Sequence, residues 1–410
     1  MFQFLKGRSM ASRLVLLAAT LGLIAIGIAT IYAVGRATPG DPEVFGVWKK
    51  QLVFAGLGAF VFAGVNLVNY RRCGSASAWI YGFVLLLLAV LLLDKIVDIP
   101  FVPVINGTRR WIRIGAGAWS FGIQPSELCK PAYILALAWY LRYRSNYRNF
   151  RALIGPFVLT LLPMVLILLE PDLGTVLLMM PVFLTMLFVA GARVKHLLLV
   201  ILLALLASPV LWVKMEPYQR LRISSVLLQS SYVRDKAEQH PFLGTILVGG
   251  PFSPKKWKDD WGYHLIRSKY AVASGGTGGY GFGRGPFVKY DFLPERHNDF
   301  IFAVIAHQWG FLGCLGVLAL YVIMFICGLD IAVNHTDPFG RLVAVGLTAM
   351  FLVQVVVNVS MTLGLMPITG LTLPFVSYGG SSLLVSMACV GLLNNVGRSR
   401  PFTVASRNVL

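Results

Sequence analysis

Two carboxylates four positions apart, Glu295 and Asp299, stand beside Arg296 and His297 in the stretch Phe-Leu-Pro-Glu-Arg-His-Asn-Asp-Phe-Ile-Phe at 292–302. An apolar run long enough to cross a bilayer follows at once, from Phe300 to Ile326. Ionisable groups at the mouth of a membrane helix are costly to place, and by default they mark a functional site. The chemistry they suit is general acid–base catalysis. Asp299 abuts Phe300, Ile301 and Phe302, so partial burial should raise its pKa toward the working range of a base. If the stretch is already helical the two carboxylates share a face. The plainer alternative is a charged helix start that exploits the macrodipole.

Other groups could hold an anion. Glu127 and Lys130, three apart behind Pro125 and Ser126, read as neighbours on one face of a helix start. They form either an ion pair that locks this helix to a neighbour or a lysine that reads a phosphate. Arg109, Arg110 and Arg113 precede them in the company of Trp111 and Trp119, which fits interfacial snorkelling as well as anion binding. Asp172 follows Pro171 at a tight turn beside Glu170, where a capping role is the simple reading. Gly276-Thr-Gly-Gly-Tyr-Gly281 fits G-x-G-x-x-G, but no strand–helix unit surrounds it. It is a phosphate-cradling turn or a flexible one. No G-x-x-x-x-G-K-[ST] occurs, so the substrate must bring its own leaving group.

The elements that must position these residues are membrane helices. Of 410 residues, 57% are hydrophobic and 13% charged, which excludes a soluble globular domain. The predicted fold is an all-α polytopic membrane protein with about ten transmembrane helices and a large extracytoplasmic loop between helices 7 and 8. The spans fall near 13–35, 51–68, 77–96, 126–143, 152–169, 173–191, 195–213, 301–328, 341–362 and 380–397. The first is too long for a signal-peptide core and is read as retained. With both termini inside, fifteen Lys and Arg fall on the inner segments and seven on the short outer loops, in keeping with the positive-inside rule. Residues 1–410 form one membrane domain, with 214–300 as the large outer loop. Within it, mixed charge and Pro241, Pro251 and Pro254 argue against a packed core element at 229–260.

The net charge of +19 has two sources. The inner loops carry topology; the outer basic residues could bind anionic lipid headgroups or an anionic substrate. Nucleic acid is not a partner at an outer face. The five cysteines show no metal-ligand spacing and read as buried small hydrophobes, and the six scattered histidines suggest no zinc cage. Polar or glycine-rich stretches at 106–130, 170–175, 218–285 and 364–382 all fall at outer span ends, which suggests one outward-facing cavity.

Taken in order, 106–112, 124–130, 171–175, 218–222, 262–264, 274–276, 292–302 and 364–382 resemble the motifs of the SEDS family (shape, elongation, division and sporulation). Pro-Ile-Thr-Gly at 367–370 and Pro-Phe-Val-Ser-Tyr-Gly-Gly-Ser-Ser at 374–382 are the most specific. The 292–302 stretch is most similar to the elongation branch. The resemblance implies a peptidoglycan glycosyltransferase that polymerises a lipid-linked disaccharide-peptide precursor at the outer face of the bacterial inner membrane. Its implied partners are a class B penicillin-binding protein, the lipid-linked precursor and membrane lipids. The family's essential acidic residue falls on Asp299. Glu295 could position it or a divalent cation, magnesium or manganese. Arg109, Arg110, Lys130, Arg220, Arg222 and Arg296 are candidates to neutralise the leaving pyrophosphate, with His297 and Ser377 as further substrate contacts. Asn298 replaces the usual Thr, and Arg267 sits where Gln is common. About 30 extra residues enlarge the loop at 229–260. His307-Gln308 replaces an acidic pair, so no role is carried onto 307 or 308. A lipid-precursor flippase or transporter, and a weakly active scaffold for the penicillin-binding protein, are the alternative functions.

Overall fold

A computed structural model describes residues 9–37, 45–104, 108–115, 121–143, 150–259, 261–290 and 292–398. Asn106, Gly107, Trp119 and Asp260 lie outside them, as do the orientation-setting residues Lys6, Arg8, Arg144, Arg148, Arg400 and Arg407. Helices appear at all ten predicted spans: α1 (Ser9–Ala37), α2 (Val47–Leu67), α4 (Ser77–Leu93), α5 (Pro125–Leu141), α6 (Ile154–Leu169), α7 (Leu173–Val189), α8 (Val194–Lys214), α15 (Ile301–Asn334), α16 (Pro338–Thr362) and α17 (Gly380–Arg398). Among the described residues, α1, α2, α8, α15, α16 and α17 are long and apolar enough to cross a membrane, and α4, α6 and α7 are shorter apolar helices. The chain is a multi-pass membrane protein. α5 differs because Glu127 and Lys130 stand in its first two turns.

The bundle is organised around α16, which packs against α15, α7, α5 and α17, while α2 lies along α17 and α1 along α15. All-round apolarity suits a helix enclosed on every side. Among its polar residues, Gln354, Asn358 and Thr362 repeat every four residues and so share one face. At the other extreme α8 buries only Leu197 and Val200 and exposes leucines and valines along the rest of its length. That surface suits lipid, where no backbone group is left unpaired in a helix.

Short elements complete the polar segments. They are α3 (Tyr70–Ser75) and a small antiparallel pair, β1 (Ile112–Ile114) with β2 (Phe121–Ile123). Between α8 and α15 come α9 (Pro217–Ser224), α10 (Ser231–Gln239), α11 (Pro241–Val248), α12 (Pro254–Asp259), α13 (Trp261–Ser274) and α14 (Pro286–Lys289). The expectation of an unpacked segment at 229–260 is corrected. Leu228, Ala237, Leu247 and Trp257 form a separate small core, with Leu221, Val233, Leu243, Phe252 and Ile266 packed on it. Trp257 is 2% exposed and its Nε1 donates to Ser225. Pro241 and Pro254 do not break this structure because each opens a helix, where a missing N–H costs nothing.

The glycine run is also not the cradle or free turn considered above. α15 breaks at Gly310 (φ +61°), and residues 276–281 are laced into the break. The amides of Tyr280 and Gly281 donate to the carbonyls of His307 and Gln308, and the amide of Phe311 donates to Gly276. Gly275 and Gly279 press on the α15 backbone where no Cβ would fit. His307 Nδ1 meets Ser274 Oγ at 2.7 Å, and Gln308 Oε1 accepts from the Gly283 amide. Cys129, Cys327 and Cys389 are buried, Cys73 and Cys314 half-buried, and all five are free thiols.

Candidate functional site

A cavity of about 390 Å³ opens at one end of the bundle. Arg110, Glu127, Asp172, Arg222, Glu295 and Asp299 supply its charge. Gln124, Thr175, Asn298, Thr369, Tyr378 and Ser382 add neutral polar groups. Its rim is thus drawn from every polar stretch singled out in the sequence. α5, α7, α15 and α17 all begin at this end. Each helix start carries about half a positive charge on its unsatisfied amides, so four of them together favour anionic groups in or near the cavity.

Asp299 sits one residue before the cap of α15 and is tied down through its backbone. Asn358 Nδ2 on α16 donates to its carbonyl at 3.0 Å and to that of Leu371 at 2.6 Å. Ser377 Oγ donates to the Asn298 carbonyl, and the Tyr378 amide to that of His297. Arg296 donates to the carbonyls of Val288 and Tyr290. Among the described residues no hydrogen bond reaches the Asp299 carboxylate, and Gly370 (φ +75°) leaves open the space 3.6 Å from its Oδ2 where a Cβ would stand. Burial pushes this carboxyl up to about 7, Glu295 and Asp172 add to the rise, and Arg222 and Arg110 oppose it. A group so poised accepts a proton readily near neutral pH.

Glu295 does not share a helical face with Asp299. It stands at φ +49° in a turn whose carbonyl accepts from the amides of Asn298 and Phe300, and the helix begins only at Ile301. Its Oε2 takes a 2.6 Å hydrogen bond from Asn298, the residue that replaces the usual Thr. Asp172 caps α7, accepting from the Thr175 amide and from the hydroxyls of Thr175 and Ser126. Glu170, behind it, is pushed up to about 8 by burial and by Asp172. Asp172 thus joins Glu295 as a second carboxylate whose charge acts on Asp299.

The basic candidates divide. Arg110 and Arg222 line the cavity. Arg110 anchors itself on the carbonyls of Glu170 and Pro171 at 2.8 and 2.6 Å. Burial lowers the pKa of Arg222, Arg110 lowers it further, and Asp299 pulls it back. The others brace the fold outside the cavity lining. Arg109 clamps Asp94 and Asp98 at 2.7 and 3.0 Å. Burial would raise the Asp94 carboxyl, but the Ile99 amide and Arg109 hold it below its usual range. Lys130, 2% exposed, is paired with Glu127 at 2.7 Å within α5, and among the described residues neither makes an ion pair with a neighbouring helix. Arg220 closes on the carbonyls of Met215 and Val213. Arg296 and Ser377 serve the loop as described, and His297 lies against the Tyr378 ring at 5.8 Å. Sequence reasoning missed Asn358 and Gln354, which holds Thr372. Their signal was there: amides spaced four apart on an otherwise apolar membrane helix.

Among the described residues no three His, Cys, Asp or Glu side chains come together to hold a metal. Glu127 is engaged by Lys130, and Asp172 by hydroxyl and amide donors.

The chain is 34% identical to the peptidoglycan glycosyltransferase RodA of Treponema pallidum, covering 93% of this chain and 96% of that one. It is 35% identical to stage V sporulation protein E of Bacillus subtilis, covering 94% and 96%. Its fold matches a chain from a peptidoglycan synthase complex that coordinates polymerization and crosslinking, with TM-score 0.73, 32% identity and coverage of 93% and 96%. The rod shape determining protein RodA of Thermus thermophilus matches with TM-score 0.63, 30% identity and coverage of 93% and 95%. The cell cycle protein family model spans residues 8–401. With that span, the shared fold and the motifs gathered around one cavity, the chain belongs to the FtsW/RodA/SpoVE cell cycle protein family, the SEDS family its sequence resembles.

Proposed function

We propose that this protein is a peptidoglycan glycosyltransferase that extends β-1,4 glycan strands from a lipid-linked disaccharide-peptide. It works at the outer face of a bacterial inner membrane, with both termini cytoplasmic. The observation that carries the reading is Asp299, a carboxyl poised near neutral pH with its oxygens open to a cavity that also holds Arg110 and Arg222. The acceptor 4-hydroxyl attacks the anomeric carbon of the growing strand. Asp299 takes the hydroxyl proton as the new C–O bond forms, and the bond from that carbon to the polyprenyl pyrophosphate breaks on the opposite side, inverting the centre. Glycosidases use a second carboxyl to protonate their leaving group. A pyrophosphate leaves unprotonated and needs positive charge instead, which Arg110, Arg222 and the four helix starts supply. No step is routed through a metal ion.

A transporter would need its charged groups near the middle of the bundle; here they meet at one end, at helix starts. One structural relative comes from a complex that couples polymerization to crosslinking. We extend that arrangement to this chain, with a class B penicillin-binding protein as partner. The test is gel-resolved polymerisation of purified lipid-linked precursor. Asp299→Asn should cost about 10²–10⁴ in rate while the protein stays monodisperse. Polymer yield close to that of the unmodified protein would remove Asp299 from the reaction.

A further inference from the structure

A second cavity, of about 400 Å³, lies at the opposite end of the bundle from Asp299. It sits between the C-terminal end of α5, the start of α16 and α3. Its charged lining is Arg71, Arg142 and Asp337, and its apolar walls are Trp139, Tyr143 and Phe339. Asp337 is occupied: it caps α16 by accepting from the Phe339 amide, accepts the Tyr70 hydroxyl at 2.8 Å, and lies 3.6 Å from Arg71. Arg142 is held differently. Its guanidinium stacks on the Trp139 ring and stands 4.7 Å from the centroid of Tyr143. Among the described residues it meets no carboxylate. The α5 C-terminus favours a cation there, and positive-inside topology favours arginine on this face. Neither requires the side chain to turn onto an aromatic wall instead of reaching into water.

We propose that this cavity binds the phosphodiester of an anionic phospholipid headgroup, with Arg142 as the main ligand and Arg71 as the second. Two guanidinium groups and one carboxylate leave a single net positive charge, which one phosphodiester neutralises. Guanidinium groups recognise phosphate oxygens through paired N–H donors. The cavity lies at helix ends, the depth at which lipid phosphates sit. Tyr143 is 74% exposed beside it, as expected of an interfacial aromatic that packs on glycerol and upper acyl carbons. A zwitterionic headgroup would bring its own ammonium group next to Arg142 and bind less well.

Native mass spectrometry of the full chain in detergent tests this, with dioctanoyl phosphatidylglycerol, dioctanoyl phosphatidylcholine and inorganic phosphate as probes. The phosphatidylglycerol adduct should dominate at equal concentration. Arg142→Gln should weaken it on the order of tenfold, the worth of one charge-assisted hydrogen bond. Arg71→Gln should weaken it less, and Arg142→Lys should keep part of the affinity by retaining charge without the paired donors. The lysine variant also serves as the folded comparison should the glutamine variant lose monodispersity. Equal adducts with phosphatidylcholine would overturn the proposal. So would unchanged binding in both Arg142 variants, or displacement of the lipid by inorganic phosphate at matched concentration, which would make the site one for a soluble anion.

Discussion

Between α8 and α15 the chain builds two structures with different anchors. Residues 228–257 build a core of their own: Leu228, Ala237, Leu247 and Trp257 bury one another and none of them lines the cavity, while Gln229 donates to the Gly364 carbonyl and Trp212 on α8 donates to that of Ile246. Residues 295–299 have no core of their own. Three of them are held through their backbone by groups from elsewhere: Asp299 by Asn358 on α16, and Asn298 and His297 by Ser377 and Tyr378 from the segment before α17. The larger structure supplies bulk and the smaller one supplies Asp299. Within one loop, a place on the cavity therefore goes with attachment to the helical bundle and not with size. The Asp299 segment is positioned by a buried amide on a membrane helix, whereas the 228–257 cluster is built on side chains of its own.

This contrast can be broken or sharpened by substitution. Arg222→Gln removes a cavity cation that also steadies the ionised form of Asp299. Loss of such a charge from a site of this kind costs about 10²–10³ in rate. The pH profile should change as well. Asp299 accepts a proton only when ionised, so activity rises with pH, is half-maximal near 7 and levels off at higher pH. Without Arg222 the carboxyl holds its proton more tightly and the midpoint moves up. A midpoint that stays put would separate Arg222 from Asp299.

Asn358→Leu keeps the size of the side chain and removes both of its hydrogen bonds to the site backbone. Misplacement of a catalytic group by about 1 Å costs roughly 10²-fold, and that loss should appear in kcat with little change in KM. Near-normal kcat would mean that the 292–300 stretch holds itself without the bundle.

Trp257→Ala probes the other side of the comparison. Emptying a buried tryptophan site costs about 3–5 kcal/mol, enough to open the small cluster. Limited proteolysis should show new cuts between 228 and 260, while precursor polymerisation by the isolated chain changes by no more than a few-fold. A collapse of activity would tie the cluster to the cavity. Arg109→Gln should do least. Its guanidinium clamps Asp94 and Asp98 outside the cavity, so KM for the lipid-linked precursor should match that of the unmodified protein. A raised KM would return Arg109 to the substrate.

Much of this was legible in the residues. Helices formed at the predicted apolar runs because a backbone in hydrocarbon must satisfy its own hydrogen bonds, which leaves few alternatives. Asp172 read correctly as a cap because the contact is local: its partner, the Thr175 amide, is three residues on. The Glu127–Lys130 pair was visible for the same reason. Asp299 could be picked out because a carboxylate placed against Phe300 and Ile301 is buried almost wherever the chain goes.

Contacts between distant segments left no such trace. Arg109 and Arg110 are adjacent, yet one reaches Asp94 and the other the turn before α7. Arg220 and Arg222 are two apart on α9, which turns them by about 200° around the helix, so one faces its own N-terminal approach and the other the cavity. Composition treats each pair as equivalent. The same holds for 229–260, whose prolines and charges suggested open loop until Trp257 found Leu228 and Ser225. The sequence by itself determined where the apolar helices of the bundle run and which carboxylate lies at the start of one, since both follow from the cost of taking polar groups out of water. Only the tertiary structure decided which arginines face the cavity, because that depends on which partner is within reach once the helices have packed.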